Sequence, residues 1–247
     1  MFVPNSAEDR AEMLRIIGVA HPSDLFSDVP ADFRFPDLAL PAALSEMEAL
    51  SSLSELAQSN RSTRDLVSFL GAGAYNHYIP AAVDALIQRG EFLTAYTPYQ
   101  PEGSQGTLQA IFEYQSLISA LTGMEVSNAS HYDGATACAE AVVLAYHHFR
   151  GKRGKVILSP SLNPQYRETI RTYTQAVADL RVVGDETSQD VFSAPDSLLP
   201  LVDQDTSLVI VQYPDFFGRV FDLTALTQKV HQHGALFCVA VNPTALG

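Results

Sequence analysis

With 247 residues, 47% of them hydrophobic and 17% charged, the chain has the make-up of a globular protein with a substantial core, not of a disordered one. Its formal net charge of -13 argues against a general affinity for nucleic acid or anionic membrane, both of which select basic faces. No apolar run approaches a bilayer span, and "MFVPNSAEDR" lacks the basic flank and apolar block of a secretory signal, which points to the cytoplasm.

The first 62 residues read as a helical arm. In "SAEDRAEMLRIIG", Ser6 is an N-cap with Asp9 three residues later, Met13, Ile16 and Ile17 share one face, and Gly18 is a stop. A proline- and aspartate-rich stretch carrying Phe26, Phe33 and Phe35 follows. A second helix from Pro41 presents Leu44, Met47, Leu50, Leu53 and Leu56. So small an arm cannot bury this much apolar surface by itself, so it is expected to wrap the main domain or a partner subunit.

From about residue 105 helices and short apolar segments alternate. "QGTLQAIFEYQSLISALTG" reads as an amphipathic helix, "MEVSNAS" (124–130) as strand-like, and "YDGATACAEAVVLAYHHFRG" as a second helix. "KVILS", "LRVVG", "SLVIVQYP" and "ALFCVAV" read as buried strands, separated by helices over "PQYRETIRTYTQAV" and "FDLTALTQKVHQHG", the latter bounded by Asp222 and Gly234. Such alternation predicts an α/β domain over residues 63–247, with a mostly parallel sheet covered on both faces. A sheet that stops at "ALFCVAVNP" leaves an apolar strand without its expected cover, so this domain is expected to be truncated at its C-terminal end.

Several chemistries find no support. Cys138 and Cys238 lie in apolar segments and read as buried small hydrophobes instead of a disulfide. His147-His148 and His231-x-His233 lack the spacing and carboxylate company of a zinc site, and no metal is expected. The basic cluster "FRGKRGK" (149–155) reads as a solvated turn. No nucleotide-binding motif is present, and "LGAGAYNH" (70–77), which includes His77, follows no convincing strand.

Open parallel sheets bind ligands outside the carboxyl ends of their strands, so the strand-to-helix loops are the places to look. In "NASHYDGAT", Asp133-Gly134 leads into a helix N-terminus that offers free N–H groups to an anion, with Thr136 adding a hydroxyl; Asp133 serves equally well as a plain N-cap. "YPDFFGRVFD" (213–222) is either a ligand loop or a packed turn, and Asn242 closes the last strand. The stretch "TAYTPYQPEGSQGTL" (94–108) is unusually aromatic and polar for a connector. Pro98 and Pro101 stiffen it, which suits either an ordered surface turn or a rigid active-site wall.

"FLGAGAYNHYIPAAVDALIQRGEFLTAYTPYQPEGSQGTLQAIFEYQSLISALTGMEVSNAS" and "YDGATACAEA" resemble the glycine decarboxylase (P-protein) of the glycine cleavage system, in particular the N-terminal subunit of its two-chain form. The resemblance runs along nearly the whole chain. It implies the type I fold of pyridoxal-phosphate enzymes and an activity in which glycine is decarboxylated and its aminomethyl group passes to the lipoyl arm of H-protein. It further implies that pyridoxal phosphate is bound through a lysine of the C-terminal subunit (subunit 2), in an α2β2 assembly, while this chain is a degenerate copy that completes the site.

The residues agree with that division. Lys152 and Lys155 lie in the basic turn and Lys229 on a polar helix face, none suited to a Schiff base, and Asn242 stands where related proteins tend to have an aspartate. The resemblance makes Tyr96, Tyr99 and Glu102 the catalytic candidates, walling the partner's cofactor. It places Thr97, Pro98, Gln100, Ser104, Gln105, Gly106 and His77 near substrate or cofactor. Asp133, Gly134, Thr136 and Asn242 form a degenerate cofactor-type loop. Gly103 and His131 depart from the family pattern, as Asn242 does. Two other readings stand beside this one: a non-catalytic subunit that only stabilises its partner, and a self-sufficient pyridoxal-phosphate enzyme of aminotransferase type, against which the lysines speak.

Overall fold

The computed structural model describes residues 5–69, 71, 76–93, 97–129, 131–186 and 190–246. The chain divides into two compact units, residues 1–67 and 68–247. In the first unit, α1 (Ala7–Ile17) starts at a capping box, with Ser6 Oγ accepting from Asp9 N–H and Asp9 accepting from Ser6 N–H, and ends at Gly18. Helix α2 (Glu46–Gln58) repeats the device with Ser45 and Glu48. It begins five residues later than the leucine pattern suggests, because the cap at Ser45 sets its start and leaves Leu44 outside. Neither helix buries a residue; Ile16, Met47 and Leu50 are all exposed.

The second unit opens with α3 (Ala81–Ile87), α4 (Gly90–Leu93) and α5 (Gln105–Thr122), which also bury no residue. Among the described residues 124–129 there is no strand, contrary to the strand-like pattern of "MEVSNAS". Met124 and Val126 point their apolar side chains to solvent, and no neighbouring strand pairs with the segment.

The core begins with α6 (Gly134–His148). It continues through β1 (Lys155–Leu158), α7 (Pro164–Thr174), β2 (Arg181–Val183), β3 (Thr206–Tyr213), α8 (Thr224–Gln232) and β4 (Leu236–Val241). The strands form one parallel sheet in the order β2-β1-β3-β4. Side chains alternate across it. Val156, Leu158, Leu208 and Ile210 pack with Val142, Ala145 and Ile170 of α6 and α7, while Ile157, Val209 and Val211 pack with Leu226 and Val230 of α8 and with Leu198. Because both faces are buried, the strands read as continuous apolar runs instead of alternating ones. Asp185, buried after β2, is held by Arg167 and Arg171 of α7, which ties that helix to the sheet.

The basic turn is only partly solvated. Arg153 donates to the carbonyls of His233 (2.8 Å) and Thr206 (3.3 Å) and lies 4.6 Å over the Phe149 ring, so it fastens the amino-terminal side of the sheet. Beside it, Gly154 has no room for a side chain: a Cβ there would stand 1.9 Å from the carbonyl oxygen of Asp179. Gly154→Ala should therefore lower unfolding stability by at least about 2 kcal/mol, at the upper part of the usual range for overpacking. Gly103→Ala, whose Cβ would meet nothing nearer than 3.7 Å, should stay within about 0.5 kcal/mol of the parent. Paired urea-unfolding curves check both.

Candidate active site and its cleft

The carboxyl ends of β3 and β4 and the amino end of α6 enclose a cleft of about 520 Å³. Three residues singled out from sequence meet there: His77, Gly134 and Asn242. Asp133 acts as the N-cap of α6. Its Oδ1 accepts from the Thr136 N–H (2.8 Å) and hydroxyl (2.8 Å), and Thr136 Oγ1 accepts from the Asp133 N–H (3.1 Å). The backbone N–H of Thr136, and then its hydroxyl, hold the Asp133 carboxyl below its ordinary pKa. Of the two readings open for this loop, capping is the one observed. The N–H that could have met an anion is committed to a carboxylate.

Gly134 lies directly against the Tyr166 side chain. A Cβ there would lie 2.4 Å from Tyr166 Oη and 2.9 Å from its Cζ, so the ring of Tyr166 closes over the amino end of α6. Tyr166, Asn163 and Gln212 line the cleft and were not singled out from sequence. Asn163 caps α7 through Oδ1, which accepts from Gln165 N–H at 2.9 Å, and its own N–H donates to Gln212 Oε1 at 2.8 Å. The available signal was "NPQY", an asparagine cap before a proline at the first helical turn. The link to Gln212, 49 residues on, left no local trace.

The 213–222 loop is a packed turn. Asp215 is buried; its Oδ1 accepts from the N–H groups of Phe217 (2.9 Å) and Arg219 (2.9 Å), and its Oδ2 lies 2.6 Å from Arg219 Nη2. The Arg219 guanidinium sits over the rings of Phe192, Phe217 and Phe221 at 5.0–5.6 Å. His131, one of the departures from the family pattern, is engaged within its own loop, with Nε2 2.7 Å from Asn128 Nδ2.

Residues 97–106 lie elsewhere. Tyr96 is outside the described residues. Thr97, Pro98, Tyr99, Gln100 and Glu102 form an irregular turn leading through Ser104 to Gln105 and Gly106, which open α5. The turn is closed by Tyr99 N–H to Thr97 O (2.8 Å) and Gly103 N–H to Gln100 O (3.1 Å), and Gln105 Nε2 donates to Glu102 O at 3.2 Å. The Tyr99 side chain is 76% exposed. None of these residues lines the cleft; Pro101, Glu102 and Gln105 instead border an open groove along α5 with Leu108, Phe112 and Leu117.

The cleft does not suit covalently held pyridoxal phosphate. None of Lys152, Lys155 and Lys229 lines it, and Lys155 sits at the opposite end of β1, paired with Asp203. Asn242 turns its Oδ1 to Thr244 N–H (3.1 Å) and has no charge to offer a pyridinium. The helix end where a phosphate would rest carries the Asp133 carboxylate. Among the described residues no group of three metal-binding side chains converges, and no helix is long and apolar enough to cross a membrane.

A doubly covered parallel sheet with its cleft beyond the strands' carboxyl ends and beside a helix amino end defines an open α/β domain. Relatives specify it further. The sequence profile of the glycine cleavage system P-protein matches residues 1–247, and the chain belongs to that family. A probable glycine dehydrogenase (decarboxylating) subunit 1 from Thermomicrobium roseum is 49% identical over 247 residues, covering 100% of this chain and 55% of that protein. The corresponding Geobacillus thermodenitrificans protein is 48% identical over 251 residues, covering 100% and 54%. A crystal structure of glycine decarboxylase (P-protein) of the glycine cleavage system, in inhibitor-bound form, matches with a TM-score of 0.84 at 41% identity, covering 100% of this chain and 54% of that one. The type I fold expected from the sequence is thus the fold observed. The chain spans about half the length of the curated relatives it matches.

Both cysteines line the cleft as free thiols. Burial pushes Cys138 up to about 12 and Cys238 up to about 11. Since the thiolate is the nucleophile, alkylation by iodoacetamide near neutral pH should be at least about a hundredfold slower in the native protein than in denaturant. Timed quench and peptide mass spectrometry measure it.

Proposed function

We propose that the chain is the cofactor-free half of a two-chain glycine decarboxylase. It would work with a second subunit that holds pyridoxal phosphate through its own lysine, decarboxylating glycine and delivering the aminomethyl group to the lipoyl arm of H-protein. One observation carries this reading: the chain belongs to the P-protein family, yet among the described residues no lysine lines its cleft, and an asparagine and a capping carboxylate stand where the cofactor would need opposite chemistry. The chain would act in the cytoplasm within an α2β2 assembly. Its first 62 residues would form an arm, and the rest the large domain.

In this reading the 94–106 loop walls the partner's cofactor site. Pro98 and Pro101 restrict their own backbone angles and those of the residues before them, so the turn is stiff before any partner arrives. Stiffness benefits a side chain that must hold its place against a reacting carbon. Tyr99, exposed on this turn, offers a flat apolar face to exclude water and a hydroxyl that can donate a hydrogen bond. Glu102 offers a carboxylate to orient a polar neighbour, and Tyr96 belongs to the same wall. When bound in the partner, pyridoxal phosphate supplies the electron sink for decarboxylation.

In the assembled complex, Tyr99→Phe and Glu102→Gln should each lower glycine–CO2 exchange by about tenfold or more, with assembly and cofactor content intact. Gln88→Ala, at the end of α3, should leave exchange unchanged. If both loop variants match Gln88→Ala, the loop has no catalytic role and the chain serves only to stabilise its partner.

A further inference from the structure

Three carboxamides line the cleft, and the oxygen of each is already committed. Asn163 Oδ1 accepts from Gln165 N–H (2.9 Å) and Gln212 Oε1 from Asn163 N–H (2.8 Å). Asn242 Oδ1 accepts from the Thr244 N–H (3.1 Å) and hydroxyl (2.8 Å). A backbone N–H can only donate, so each of these partners fixes an amide oxygen toward the backbone and leaves the NH2 group on the other side. Among the described residues nothing accepts a hydrogen bond from these three NH2 groups. Asn163 is only 6% exposed and is one of the residues lining the cleft. None of these NH2 groups is sealed inside the protein, so each remains open to an acceptor that enters the cleft.

The remaining wall is mostly apolar, with Cys138, Ala240, Val241 and the Tyr166 ring facing the same space. Neither lysine nor arginine lines it, and the Asp133 carboxylate caps the adjoining helix end, so phosphates and other dianions are disfavoured. The volume, about 520 Å³, is that of a small-molecule site. We infer that this cleft binds a small flat molecule through its acceptor oxygens, a carbonyl or a carboxylate, held by the NH2 groups of Asn163, Gln212 and Asn242. The apolar body of that ligand lies against Tyr166, Ala240 and Val241. This goes beyond the reading above, because the site belongs to this chain alone and concerns binding, not turnover.

Gln212→Glu and Asn242→Asp test it without removing a structural bond. Each replacement keeps an oxygen for the backbone N–H and exchanges the NH2 donor for a second acceptor. The probes are benzoate and acetophenone, which present acceptor oxygens on a flat apolar body, and benzylamine, which presents donors on a body of the same size. Binding to the assembled protein is followed by saturation-transfer NMR titration, with thermal unfolding verifying that the variants are folded. At least one acceptor probe should bind the parent at millimolar concentration or below and lose about tenfold or more in affinity in each variant, while benzylamine binds more weakly than either. Benzoate alone would identify a carboxylate ligand, and acetophenone alone an uncharged carbonyl. Failure of both acceptor probes to bind the parent, equal affinity in the variants, or benzylamine binding as tightly as the acceptors would each overturn the inference. Glycine–CO2 exchange is not read in this experiment, so its outcome is independent of the proposed activity.

Discussion

Parallel pairing of β1 with β3, buried on both faces, is the constraint from which the rest of the second unit follows. A strand covered on both sides needs apolar side chains in both directions, and Val156–Leu158 and Leu208–Val211 supply them without a polar interruption. Parallel neighbours cannot be joined by a tight turn, so each return requires a crossover, and α7 and α8 provide two of these on opposite faces. All four strands therefore end on the same side. The cleft forms where β3 and β4 run out and α6 begins, and it is the place this topology leaves open.

Much of this was legible along the chain because it depends on nearest neighbours. Caps at Ser6 and Asp133, the apolar runs of the four strands and the stop at Gly234 are local signals, and local physics answers them. What was not legible depended on distance. "MEVSNAS" has strand-like composition, but a strand exists only where another strand pairs with it, and among the described residues none pairs with 124–129. Asn163 and Gln212 are ordinary residues in sequence and become cleft residues only because α7 packs so that one backbone N–H reaches the other's side chain. Tyr166 is recognisable as part of the cleft only once its ring is seen against Gly134.

The candidate residues separate into two places with different character. One is a cleft lined by amides, thiols and a tyrosine ring, and shaped by the core. The other, the turn from Thr97 to Gly106, has its polar and aromatic side chains turned outward and its backbone bonded to itself. The cleft is lined by side chains of this chain's own core elements. An outward-turned stiff loop gains a role only when a second surface meets it, so the two differ in whether their chemistry can be read from one chain at all.

The cap at Asp133 has a consequence for what this fold can become. A helix has few free N–H groups at its start, and a side chain and a ligand compete for the same ones. Here the carboxylate has taken the Thr136 N–H, and such a cap is worth about 1 kcal/mol of stability. Acquiring a phosphate at that helix end would require surrendering the cap, displacing Tyr166 and removing a negative charge together. No single substitution achieves all three. Cap and anion site are thus competing uses of the same helix end, decided by the geometry of one helical turn.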